Sequence, residues 1–164
     1  ENLSEHSLET AMIAHALAVI NKRRLGGTAD PDKTAAAAMF HDTSEIITGD
    51  MPTPVKYNNS DIISAYKQIE KNAEERLLNM LPEDFREDFK EIYSPDADTK
   101  RLVKAADKIS ALIKCTEELN MGNREFAVAE KAQREAIQKL GCPEADIFME
   151  EFMPSFSLSL DEQN

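Results

Sequence analysis

The side chains in this sequence able to do chemistry are few. Its three histidines are His6, His15 and His41, so imidazole chemistry must draw on those. The stretch "FHDTSEIITGD", from Phe40 to Asp50, sets His41 beside Asp42 and adds Glu45 and Asp50. One more acid, Asp107, stands within the otherwise regular "VKAADKISALIK". Two imidazoles and two carboxylates, His6, His41, Asp42 and Asp107, make a coherent shell for one divalent ion. Mixed nitrogen and oxygen ligation suits Zn, Mn, Co, Fe or Ni and leaves positions open for water and substrate oxygens.

Each of these residues also has a plainer reading. His6, in "SEHS", is a first-turn histidine, a place where imidazoles are commonly solvated. His15 lies among Ala14, Ala16 and Leu17 and is expected to be a core histidine hydrogen-bonded to backbone. Nine positions separate it from His6, which at about 100° per residue puts the two on opposite faces of one helix, unable to serve one site. Asp107 has Arg101, Lys104 and Lys108 nearby as partners for a surface ion pair, an interaction contributing little. The company of these residues favours a site. His41 and Asp42 end an alanine-rich segment whose small side chains let neighbouring helices approach closely, with Glu45 and Asp50 just beyond.

The elements that must position them read as helices almost throughout, since apolar residues recur at helical spacing and alternating patterns are scarce. Ser4 is expected to cap a first helix reaching Arg24, closed by Gly26 and Gly27, with Ala11–Ile20 buried on several sides. Asp30 caps a second, with Pro31 at its first position. A short helix covers Thr43–Thr48 and stops at Gly49; "GDMPTPVKYNNS" reads as an ordered loop. Ser60 starts a long amphipathic helix with the stripe Ile62, Tyr66, Ile69, Ala73, Leu77 and Met80, ended by Pro82. Phe85, Phe89 and Ile92 mark a shorter one. The second long helix, entered through Ser94 and Pro95 and ended by Gly122, has the stripe Leu102, Ala106, Ile109, Ile113 and Thr116. Asn123–Leu140 and Pro143–Met153 follow, and the tail from Ser159 to Asn164 is expected to fray.

Composition sets limits. At 164 residues the chain has the length of one ordinary domain. A net charge of −12 argues against holding long nucleic acid by its phosphates, which needs a cationic stripe. Cys115 and Cys142 lack Cys-x-x-Cys spacing, so neither a zinc knuckle nor a redox pair is indicated, and a reducing cytosol fits. The most apolar stretch, Ala11–Ile20, is interrupted by His15 and too short to span a bilayer. The chain opens at Glu1 without Met, already reading as a helix start, so a preceding segment is expected.

The motifs "SEHS", "FHD" and the distant "AAD" together resemble the H…HD…D signature of HD-domain phosphohydrolases. The stretches "ENLSEHSLETAMIAHALA", "HDTSEIITGDMPTPVKY", "VKAADKISALIKCTEEL" and "MPSFSLSLDE" carry the likeness further, and over nearly the whole chain the sequence is similar to the bacterial 5′-deoxynucleotidase (YfbR) family. That resemblance implies an all-helical, metal-dependent, homodimeric hydrolase removing phosphate from deoxyribonucleoside 5′-monophosphates. It implies metal ligation by His6, His41, Asp42 and Asp107 and a catalytic acid at Glu45. It places nucleotide contacts at Asp50, Met51, Pro52 and Thr53, with Asp42 and Asp107 also near the substrate. An Arg-Trp pair that helps position the nucleotide in that family precedes "SEHS"; this sequence contains no Trp.

The implied reaction has a simple physical basis. A metal ion offsets the phosphate dianion and lowers the pKa of a bound water. Glu45, one helical turn beyond the His-Asp pair, is placed to take a proton from that water or give one to the departing 5′ oxygen. Its plainer role is to stabilise its own helix from the first turn. Asp50 and Thr53 suit hydrogen bonds to the sugar, held by Pro52 and Pro54, while Lys56 suits either phosphate or solvent. Two rival readings stand beside this one. One is an HD-type hydrolase of another nucleotide, although a two-metal form needs further histidines and a triphosphate enzyme needs more cations than residues 40–57 hold. The other is a catalytically silent helical module binding metal and nucleotide, which has no need of a proton carrier at Glu45.

The resulting expectations are a single all-α HD-type domain over residues 1–164, with about seven to eight helices. It takes one divalent ion (Co, Mn, Zn, Ni, Fe or Mg) and a deoxyribonucleoside 5′-monophosphate. It works as a cytoplasmic homodimer with neither nucleic acid polymer nor membrane as partner.

Overall fold

Helix α1, Leu3–Arg24, begins where Asn2 caps it. The Asn2 side chain accepts from the Ser4 and Glu5 N–H groups while Glu5 Oε2 accepts from the Asn2 N–H at 3.0 Å, a reciprocal capping box. The cap is therefore Asn2 rather than Ser4, because Glu5 stands at the position that completes the box.

The computed structural model describes residues 2–56 and 58–162, with the side chains of Thr53, Pro54 and Leu160 outside that description. Beyond α1 its helices are α2 Pro31–Phe40, α3 Glu45–Thr48, α4 Thr53–Lys56, α5 Ser60–Met80, α6 Arg86–Tyr93, α7 Ala97–Asn120, α8 Ala127–Lys139 and α9 Pro143–Glu151. The described residues contain no strand, as the helical spacing predicted, and two of the nine helices are single turns of four residues. Backbone contacts divide the chain into two compact units, Glu1–Met39 with Asp96–Asn164, and Phe40–Pro95.

In the first unit α1 packs chiefly along α7, α8 also packs on α7, and α9 meets both α1 and α7. The predicted α7 stripe, Leu102, Ala106, Ile109, Ile113 and Thr116, is buried throughout. Val103, Ala105, Ser110, Leu112 and Cys115 are buried too, because three helices rather than one lie against α7. Each large apolar side chain removed from water there contributes about 1.5–3 kcal/mol. On α1 the burial is one-sided: Ala11, Ala14, Leu17 and Ala18 are buried, whereas Leu8, Met12, His15 and Val19 form an exposed face.

Asn21 fixes the junction after α1. Its Oδ1 accepts from the Ala29 N–H at 3.1 Å, and its Nδ2 donates to Glu144 Oε1 at 2.5 Å. A Cβ on Gly27 would lie 2.0 Å from Asn21 Oδ1, so that glycine is required by the close approach. Glu144, 2% exposed, also accepts from Arg101 Nη1 at 2.6 Å and Nη2 at 2.9 Å. Asp30 Oδ1 caps α2 as expected, accepting from the Asp32 and Lys33 N–H groups. Helix α7 is capped by Asp96, whose carboxylate accepts from Asp98 and Thr99.

In the second unit α3, α4 and α6 pack on α5. Helix α5 starts at Ser60 as expected, capped by Asn59. Tyr66 and Ala73 are its buried residues, while Ile69 and Met80 are exposed despite their place in the predicted stripe, since the covering helices are short. Phe40 meets the rings of Phe89 and Tyr93 edge-on, at 5.9 and 6.2 Å. The segment expected to be a loop contains α4. Pro52 O accepts from the Val55 and Lys56 N–H groups, and a proline in a first turn forfeits no helical hydrogen bond. Of the expected fraying tail, Gln163 and Asn164 lie outside the described residues. No helix among the described residues is long and apolar enough to cross a membrane.

Candidate functional site

Each unit contributes a His–Asp pair drawn from the predicted ligands. In the first, His6 on α1 turns its Nε2 to Asp107 Oδ1 on α7 at 3.4 Å. The α1–α7 packing makes this meeting, and both side chains keep partial access to solvent. The opposite ring nitrogen, His6 Nδ1, is 3.3 Å from Ser110 Oγ, and that hydroxyl donates to Glu9 Oε2 at 2.7 Å. Asp107 thus faces an imidazole; Arg101, one of its expected partners, pairs with Asp98 and Glu144 instead.

In the second unit His41 Nε2 lies 3.1 Å from Asp42 Oδ2. They sit in the turn after α2, where the Thr43 hydroxyl donates to Phe40 O at 2.7 Å and stands 3.1 Å from the Tyr93 hydroxyl. Glu45 opens α3. Burial, reinforced by the negative charges of Asp42 and Asp50, pushes its carboxyl up to about 7, against the opposing pull of Lys56 and His41. Gly49 ends α3 at φ 69°, a left-handed turn that favours glycine, and its carbonyl accepts from the buried Tyr66 hydroxyl at 3.2 Å.

The predicted substrate segment follows directly. Asp50 and Pro52 are exposed and Met51 half-buried, while the Thr53 side chain lies outside the described residues. Lys56 is not a solvated lysine: its Nζ pairs with Glu70 at 2.8 Å and lies 4.7 Å from the Tyr66 ring centre. His15 departs from expectation as well. It is exposed and reaches Asp32 at 3.7 Å, because its face of α1 is uncovered despite its apolar neighbours in sequence. Both cysteines are free and buried, and burial raises their thiols, Cys142 to about 11, so neither offers a thiolate.

The donor chemistry fits a metal. His6, His41 and Asp107 each offer one ligand atom of a kind that binds metal ions, and in the His6–Asp107 and His41–Asp42 pairs an imidazole Nε2 is directed at a carboxylate oxygen, a combination matching a borderline divalent cation. Two neighbours were not read from the sequence, Ser110 and Glu9. Their signal is spacing, since each lies three residues after a site residue, Asp107 and His6, and so shares its helix face.

A family model described as 5′-deoxynucleotidase YfbR-like matches residues 1–156. The chain belongs to the YfbR-like 5′-deoxynucleotidase family. Among YfbR-like relatives, a 5′-deoxynucleotidase of Vibrio parahaemolyticus is 51% identical over 99% of this chain and 85% of its own length. The 5′-deoxynucleotidase YfbR of Escherichia coli is 49% identical over 99% of this chain and 83% of its own. The YfbR-like fold also matches the crystal structure of an HD-domain phosphohydrolase from Listeria innocua, with TM-score 0.81, 19% identity, and coverage of 99% of this chain and 80% of that one. The expected all-α HD architecture is therefore correct.

Proposed function

We propose that this chain is a metal-dependent 5′-nucleotidase that hydrolyses deoxyribonucleoside 5′-monophosphates to deoxynucleoside and phosphate. Half-identity to proteins named 5′-deoxynucleotidase, over almost the entire chain, supports the reaction class. The observation that carries the chemistry is the His6–Asp107 and His41–Asp42 pairs together with Glu45, a glutamate whose carboxyl burial pushes up to about 7.

His6, His41, Asp42 and Asp107 would hold one divalent ion. When bound, the ion supplies positive charge against the phosphate dianion and acidifies the water it binds. In the reaction a water oxygen bonds to phosphorus, the bond from phosphorus to the 5′ oxygen breaks, and a proton ends on that oxygen. Glu45 moves this proton: burial and the charges of Asp42 and Asp50 raise its carboxyl toward the range in which an acid or base works best. Asp50, Met51, Pro52 and Thr53 contact the nucleotide, with Asp42 and Asp107 beside it. Asp50 does double duty, since its charge also helps hold Glu45 protonated. The whole of residues 1–164 serves one HD-type catalytic domain, working as a cytoplasmic homodimer.

The test is phosphate release from dAMP and AMP in parallel, with Co, Mn, Zn, Ni, Fe or Mg supplied singly to chelator-stripped protein. Faster release from dAMP, dependent on added ion, supports the proposal. Metal-replete protein that frees no phosphate from any nucleoside monophosphate, and melts unchanged as Glu45→Ala, would instead identify a silent binding module.

A further inference from the structure

We propose that Ser110 and Glu9 are positioning residues that hold His6 in the tautomer whose Nε2 lone pair faces the metal. This rests on the proposed metal centre and extends it to two side chains outside its ligand set.

A serine hydroxyl has one proton to give. Ser110 Oγ lies 2.7 Å from Glu9 Oε2, and a carboxylate only accepts, so the hydroxyl proton goes to Glu9. What Ser110 then presents to His6 Nδ1, at 3.3 Å, is an oxygen lone pair. A neutral imidazole meets it favourably only with its proton on Nδ1. Nε2 is left bare, and it is Nε2 that stands 3.4 Å from Asp107 Oδ1. A bare nitrogen turned to a carboxylate oxygen is an unfavourable contact alone and a good one when a cation joins both. The chain Glu9–Ser110–His6 therefore prepares the donor that the ion needs, as the outer partners of metal-binding histidines do.

Glu9 sets the direction. Without it the Ser110 hydroxyl is free to donate to Nδ1, which moves the imidazole proton to Nε2, where it bonds Asp107 and closes the metal position. Ser110 is fully buried beside Ile109, Leu112 and Ile113, a place where packing alone favours an apolar side chain. The helix register supports the same assignment: Glu9 follows His6 by one turn of α1, and Ser110 follows Asp107 by one turn of α7, so both pairs meet across one interface.

The experiment uses the full chain with nitrogen-15-labelled histidine, metal-free, at a pH where imidazole is neutral, followed by Co²⁺ titration. Long-range nitrogen–proton spectra should show His6 protonated on Nδ1 in the wild type and on Nε2 in Glu9→Ala. The Co²⁺ dissociation constant should rise about ten- to a hundredfold in Glu9→Ala and Ser110→Ala, with Ser110→Thr, which restores the hydroxyl, close to wild type. Glu9 is partly exposed on α1, so its variant keeps the test available if Ser110→Ala fails to fold. An Nε2–H tautomer in the wild type, or Co²⁺ binding within twofold of wild type in both variants, overturns this assignment alone. Wild-type protein that binds no ion overturns the metal centre and this assignment with it.

Discussion

His6 Nε2 and Asp107 Oδ1 lie 3.4 Å apart, although more than half of the chain separates them in sequence. Helix α1 brings one and α7 the other, and the pair has the composition of half a coordination shell. Asp107→Ala is therefore expected to weaken metal binding by more than the roughly 100-fold that outer partners contribute. His15→Ala, on the exposed face of α1, should leave it unchanged. Elemental analysis of the purified variants checks both.

In the proposed reaction Glu45 transfers a proton rather than ligating the ion. Glu45→Gln should retain the metal and lower kcat by about 10²- to 10⁴-fold. Loss of the metal together with the turnover would move Glu45 into the coordination shell.

The neighbours of Glu45 fix the direction in which its titration can be moved. Lys56 pulls its carboxyl down and Asp50 pushes it up, so in metal-free protein Lys56→Met should raise the midpoint above about 7 and Asp50→Asn should lower it. Carbon-13 NMR of the carboxyl reads the shift. The raised value also has a stability consequence. The folded state binds more protons than the unfolded one, so stability present below about 4.5 is lost as pH rises through about 7, and Glu45→Gln should flatten that decline.

Glu144 has the opposite sign. Hydrogen bonds from Arg101, then Asn21, hold its carboxyl at about 2 against the ordinary 4.5, although burial opposes them. Its contribution is complete above about 4.5 and disappears as pH falls through about 2, amounting to about 3 kcal/mol. Urea unfolding at pH 6 and pH 3 should show wild type losing much of this difference and Glu144→Gln little of it.

Gly27→Ala places a methyl 2.0 Å from Asn21 Oδ1. Asn21 must then leave Ala29 or Glu144, an overpacking expected to destabilise by about 1–3 kcal/mol. Thermal melting measures it, and Gly26→Ala, strained by φ 68° but facing open space, separates crowding from backbone strain.

Much of this was legible in the sequence because helical spacing is a local signal. The α7 stripe, the Asp30 cap and the stop at Gly49 all follow from neighbours in the chain. What local signals could not convey was which faces other helices cover. His15 has apolar neighbours on either side yet looks outward, Ile69 and Met80 keep the right register on a helix too sparsely covered to bury them, and Glu144 is a buried acid whose partners Asn21 and Arg101 lie far off in sequence. At the candidate site the ligand types were readable from residue identity and resemblance. The Ser110–Glu9 link was not, because it exists only once α1 and α7 are packed.

The wide sequence separation of His6 and Asp107 bears on how the protein is made. During synthesis α1 leaves the ribosome long before α7, and domains assemble as the chain emerges. Until α7 is out, the nascent polypeptide holds the His6 imidazole without the Asp107 carboxylate, so the His6–Asp107 pair, and with it the proposed metal centre, is completed only after α7 has emerged.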